Sequence, residues 1–257
     1  MSRSNWGGGI ALNAKIHESA FIDTGVIVMS EAEIGPRVSL GSFSFIGERT
    51  KLLAGAQVLA RTHIHEDVQI GEDDDIGADT TIHKGSYFES DVTVGPEVSI
   101  GAGALILAGA VVCPNFINAN VNKDNEKMSK NAREIEECVT IGPNVVLPDQ
   151  VEIGFGAIIP TQRTIAYIGS FGDKNRFVTI YGSDTGPCYS VGCQIGIDFT
   201  TFCTRVANKD DTTNESAATY VPYLDVFNLA GLAVQNAYDA ERRFIDELKD
   251  QRVSLSM

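Results

Sequence analysis

Every sixth residue from Ile16 to Val112 is large and apolar. The series runs Ile16, Ile22, Val28, Ile34, Leu40, Ile46, Leu52, Val58, Ile64, Ile70, Ile76, Ile82, Phe88, Val94, Ile100, Ile106 and Val112. Two residues before each stands a small or β-branched side chain, Asp74 being the exception. Side chains alternate along a strand, so positions i−2 and i share one side and both face a core. Glycine often follows the large residue, at 35, 41, 47, 71, 77, 95 and 101, where it is expected to permit a tight turn. Three six-residue sides make a triangular coil of 18 residues, and coils stack about 4.8 Å apart by parallel pairing. The series breaks after Val112 and resumes in phase at Ile141, Leu147, Ile153 and Ile159, which makes 114–138 an excursion loop. Seven coils result, a prism about 34 Å tall.

The hexads resemble the hexapeptide-repeat family, whose fold is a left-handed parallel β-helix. That handedness is an exception to the usual right-handed crossover. The fold class expected is therefore mainly β: a β-helix of about seven coils, then a small α+β C-terminal domain with a long helix. The expected divisions are a lead-in over 1–15, the β-helix over 16–162 and the C-terminal domain over 163–257. In the last, "NRFVTIYG" and "GPCYSVGCQ" read as two strands around a turn, and "DFTTFCTRVA" as a short helix capped by Asp198. A longer helix is expected from Pro222 to Lys249. Its stripe Leu224, Phe227, Gly231, Val234, Tyr238, Ile245 and Leu248 is interrupted at Glu241, and is expected to pack on the domain's own sheet. The arrangement "FVTIYG…GPCYSVGCQIGIDFTTFCTRV" is similar to a small domain found in phage-encoded proteins.

A net charge of −14 argues against nucleic acid as a partner, because such affinity comes from Lys and Arg on phosphates. No apolar run reaches the ~18 residues of a membrane span, and the N-terminus lacks the apolar segment of a secretory signal. The expectation is a soluble protein made in the cytoplasm. The five cysteines, 113, 138, 188, 193 and 203, form no CxxC pair and read as reduced thiols.

Chemistry concentrates in "RTHIHEDVQIG". His63 and His65 flank the inward Ile64 and so point outward, and His83, 18 residues after His65, stacks directly above it. Three imidazoles on one face form a candidate metal cluster. The favoured expectation is instead a surface or intersubunit polar cluster with no obligatory metal and no acyl-transfer role. The family resemblance implies two further comparisons. Family carbonic anhydrases place two ligands in His-x4-His, a pair this chain lacks. Family acyltransferases place a base four residues before an inward aliphatic; that slot is Glu66 here, with His65 one place earlier. If the chain is an enzyme, the candidate catalytic residues are His65, His83 and Glu66, with Glu66 or Asp67 assisting a base. The "GEDDDIG" segment reads as a solvated turn rather than a calcium loop. Within it, Asp74 should face inward and accept backbone hydrogen bonds.

Two functions follow. The favoured expectation is a non-catalytic homotrimeric assembly protein without cofactor, a phage virion component such as a capsid decoration or fibre-like protein, contacting other virion proteins. The alternative is a coenzyme A-dependent acyltransferase acting on a sugar or amine acceptor. Fold alone does not choose between them.

Overall fold

In the computed structural model, strands of two or three residues recur every six positions from Gly9–Ile10 onward. The structure describes residues 8–112, 133–135, 139–147, 153–154, 156–171, 176–191, 194–207 and 220–255. The cysteines at 113, 138 and 193, and the excursion loop apart from 133–135, lie outside these residues.

The strands sort into three parallel sheets by taking every third one. The first face holds Ile27–Val28, Phe45–Ile46, His63–Ile64, Thr81–Ile82 and Val98–Ile100. Its register pairs Ile46 with Ile64 and Ile64 with Ile82, a step of 18. Arg133–Ile135 joins this face beside Val98–Ile100, so the chain re-enters the coil there after its excursion. The second face runs from Lys15–Ile16 to Ile158–Ile159, and the third from Phe21–Ile22 to Val146–Leu147. The result is a left-handed parallel β-helix of about seven coils.

All the hexad residues are buried except Ile16 and Ile22, which are half-buried in the first coil. Each contributes roughly 1.5–3 kcal/mol by leaving water. The glycines do a different job from the one expected. From Val28 onward the left-handed corners fall three residues before the inward hexad residue, and most carry a side chain, as at Arg49, Arg61, Asp67, Asp73 and Asp79. The glycine after the aliphatic sits where an added Cβ would collide with the next coil's backbone: Gly47 meets His65, and Gly71 meets Glu89. Close stacking, not turn conformation, selects glycine there.

Asp74 is fully buried. Its carboxylate accepts N–H bonds from Gly71 at 2.7 Å and Val92 at 2.9 Å. Burial pushes its pKa up to about 7, the two N–H donors opposing and Asp91 and Asp75 adding to the rise. Its neighbours Glu72, Asp73 and Asp75 are exposed, so the acidic run does not converge on one point.

Beyond the β-helix, Ile165–Phe171, Arg176–Tyr181, Cys188–Val191 and Gln194–Ile197 form an antiparallel sheet in chain order. The first and last of these strands were not among the sequence expectations. Asp198 caps the helix Phe199–Ala207 as expected, accepting from the Thr201 N–H at 2.9 Å and hydroxyl at 2.7 Å. The long helix breaks at Glu241 into Leu224–Ala240 and Arg242–Leu255. Phe227 packs on the small sheet among Phe171, Tyr189, Phe202 and Tyr220. Gly231 lets Tyr189 approach, since a Cβ there would collide with its hydroxyl. The stripe then changes partner: Tyr238, Ile245 and Leu248 pack on Leu105, Leu107 and Ile158 of the β-helix's second face. The expectation of packing on the domain's own sheet thus holds for Leu224 and Phe227, and not for the stripe from Tyr238 onward. Asp184 ties the second helix down, taking Arg242 and Lys249 at 2.6 Å each. Among the described residues no helix is long and apolar enough to cross a membrane.

Candidate active site

The first face carries its histidines where the six-residue period puts them. His63 occupies the outward position before Ile64, and Phe45 lies one coil below it in register. Because successive coils repeat every 18 residues, the side chains form columns: Phe45 and His63 in one, His65 and His83 in the next. Parallel strands a few ångströms apart bring the rings of a column into contact. The Phe45 and His63 rings stack with centroids 4.4 Å apart. His63 and His65 lie 4.6 Å apart, and His65 and His83 stack at 4.9 Å with planes 18° from parallel.

The structure therefore brings His63, His65 and His83 together. Glu66 is beside them, with a carboxylate oxygen 3.9 Å from His65 Nδ1. Asp67 does not join: Arg49 grips it through two bonds, 2.6 and 2.8 Å, and holds its carboxyl below the usual carboxylate range. It is not free to assist a base, contrary to the sequence expectation. Two neighbours were missed. Phe45 is one; the other is Ser99, buried, with its hydroxyl 3.5 Å from His83 Nε2. The signal was present, since 45 is 18 before 63 and 99 is 18 after 81, the residue two before His83.

Stacked rings present their faces to one another, so the ring nitrogens of His65 and His83 run side by side rather than converging. A tetrahedral metal needs lone pairs aimed at a single point. Among the described residues no group of three or more His, Cys, Asp or Glu is arranged to hold a metal ion. What the stack offers instead is proton chemistry. Partial burial, then the charges of His65 and His83, lower the pKa of His63. A neutral imidazole is both a donor and an acceptor, and can take a proton from an acceptor hydroxyl or amine. Lys84 and Arg49 stand at the corner adjoining the histidines.

Residues 75–108 match the family described as bacterial transferase hexapeptide (six repeats). The β-helix is built of hexapeptide repeats. A comparison with curated proteins gives no significant match. Among solved structures, the chain is similar to a mutant GDP-perosamine N-acetyl transferase from Caulobacter crescentus in complex with CoA and GDP-perosamine. Identity is 19%, over 56% of this chain and 54% of that one, with a TM-score of 0.32. It is also similar to the acetyltransferase domain of PglB from Neisseria gonorrhoeae in complex with acetyl coenzyme A, at 24% identity over 42% and 55%, TM-score 0.27. A third is the UDP-N-acetylglucosamine acyltransferase of Francisella novicida, at 13% identity over 88% and 89%, TM-score 0.30. The chain spans about half the length of the first two. The family match corrects the expectation of a non-catalytic phage virion component: the model that fits residues 75–108 describes bacterial transferases.

Proposed function

We propose that this protein is an acyltransferase that moves an acyl group from a coenzyme A thioester to a hydroxyl or amine of a sugar-like acceptor. The observation that carries the reading is the outward His65–His83 stack, flanked by Glu66 and Ser99. The transferase hexapeptide match over 75–108 supports it. In this reading His65 or His83 takes the acceptor's proton as the acceptor oxygen or nitrogen bonds to the thioester carbonyl carbon. The carbon–sulfur bond then breaks, and the imidazolium returns its proton to the departing thiolate. Glu66 steadies the cation formed on His65. The donor set fits such a thioester: imidazoles suit its reacting end, and Lys84 provides a cation for phosphate groups.

The same reading makes the working unit a homotrimer, since closed symmetry is the norm for such assemblies. Phe21, Ile27 and Phe43 are exposed in the single chain, around the edge where the first and third faces meet, and they supply apolar area for contact between copies. Light scattering at micromolar concentration should report three chains, and a monomer would remove this part. For the activity, calorimetry should show acetyl-coenzyme A binding to the purified chain. Thiol release in the presence of amino- or hydroxyl-sugar acceptors should be lost in His65→Gln or His83→Gln. Absence of both binding and thiol release would reject the acyltransferase reading.

A further inference from the structure

The face carries more imidazoles than a single proton transfer needs. His63 lies between an apolar ring and a basic pair: Phe45 at 4.4 Å on one side, His65 at 4.6 Å on the other. His83 continues the stack at 4.9 Å from His65. A second positive charge so close to a first is disfavoured, and a ring resting on phenylalanine loses part of its hydration. The two effects act on His63 in the same direction.

The other charged groups at this site favour the far end of the stack. Glu66 stands 3.9 Å from His65. Asp67 is neutralised by Arg49, which also bonds Glu48 at 3.2 Å. Lys84 adjoins His83 in sequence, and the Ser99 hydroxyl lies 3.5 Å from His83 Nε2. Among the described residues the carboxylate placed against the rings sits with His65, and the Phe45 ring lies beneath His63.

We infer that His63, seated on Phe45, is a positioning residue held neutral so that positive charge in the stack resides on the His65–His83 pair. This deepens the proposed function and rests on it for its purpose. A neutral His63 keeps one N–H donor and one lone pair to orient the acceptor, while the pair handles the proton. The lowered pKa of His63, from burial first and the two neighbouring charges second, agrees with this arrangement.

Imidazole nitrogen NMR on the full-length, isotope-labelled chain tests it, titrated from about pH 8 to pH 5. The His63 midpoint is expected below the ~6.5 of a free imidazole. Phe45→Ala, which opens the floor to water, should raise that midpoint, and Phe45→Leu should restore it. His83→Gln should raise it as well, because one positive neighbour is gone. A wild-type midpoint at or above ~6.5, or one unmoved by both Phe45→Ala and His83→Gln, overturns the inference. The spectra report the stack whether or not turnover is found. Lost coupling with turnover still dependent on His65 or His83 would remove this inference alone. Intact coupling without any thioester chemistry would remove the proposed function instead.

Discussion

Two faces of one β-helix share an interior and differ outside. On the second face, upper-coil residues such as Leu105, Leu107 and Ile158 point outward and are covered by the chain's own last helix through Ile245 and Leu248. On the first face the outward residues at middle height are Phe45, His63, His65 and His83, which stack on one another, His63 being the most exposed of them. Inward, both faces read the same: one large apolar residue per coil, 18 residues apart. Inward residues thus decide that a coil forms, and outward residues decide what it meets.

Breaking the shared interior should have the largest effect. Ile76→Asp places a carboxylate among buried aliphatics, at a cost on the order of 5 kcal/mol or more. Both faces should be lost together, seen as failure to recover soluble protein. Next comes Ile245→Ala, a cavity under the covering helix worth about 2–5 kcal/mol. Proteolysis should then cut near Glu241 while the β-helix survives; loss of the whole fold would show that the faces are not separable.

Asp74→Thr sharpens the interior half of the comparison. Threonine is already used at this hexad position by Thr50 and Thr80, whose hydroxyls donate to the carbonyls of His65 and Gly95. Elsewhere the glycine N–H after the aliphatic bonds the coil above, as Gly47 does to Ile64 and Gly77 to Val94, both at 2.7 Å. At Gly71 it turns to Asp74 instead. Because burial raises the folded pKa to about 7 from 3.8, the folded chain binds this proton more tightly than the unfolded one. The carboxyl therefore destabilises fully above pH ~7, and the penalty fades as pH falls toward ~4. Asp74→Thr should stabilise by a few kcal/mol at pH 8 and by much less at pH 5, by chemical denaturation. An equal gain at both would contradict the origin given.

Asp184→Asn should have the smallest effect. The carboxyl is held below its usual range, by Lys249 first, with Arg242 also contributing. Its contribution is present above the unfolded pKa and lost as pH falls through the lowered folded one. Half exposed, these pairs are screened, so a slight loss of thermal stability should shrink further in high salt.

The interior was legible because one period repeats many times, and a strand with one buried side has little freedom of register. The histidines were legible for the same reason: a step of 18 stacks them without any knowledge of packing. Phe45 and Ser99 obey the same step but are ordinary residue types, so nothing marked them until the rings were seen in contact. The covering helix was half legible. Its stripe showed which residues are buried, yet a stripe does not name its partner, and Tyr238, Ile245 and Leu248 chose the β-helix. The glycines were read correctly by position and wrongly by cause, because the backbone of the next coil is invisible in a local pattern.

The central claim is that the first face's imidazoles act while the interior builds. It is tested most directly by the variant with His63, His65 and His83 all changed to Gln, measured for acetyl-coenzyme A turnover beside its thermal midpoint. The account predicts a midpoint within the small range of surface substitutions, about 0.5 kcal/mol, and turnover reduced at least 100-fold, roughly what a positioned general base supplies. Turnover at the wild-type level in that folded variant would contradict it.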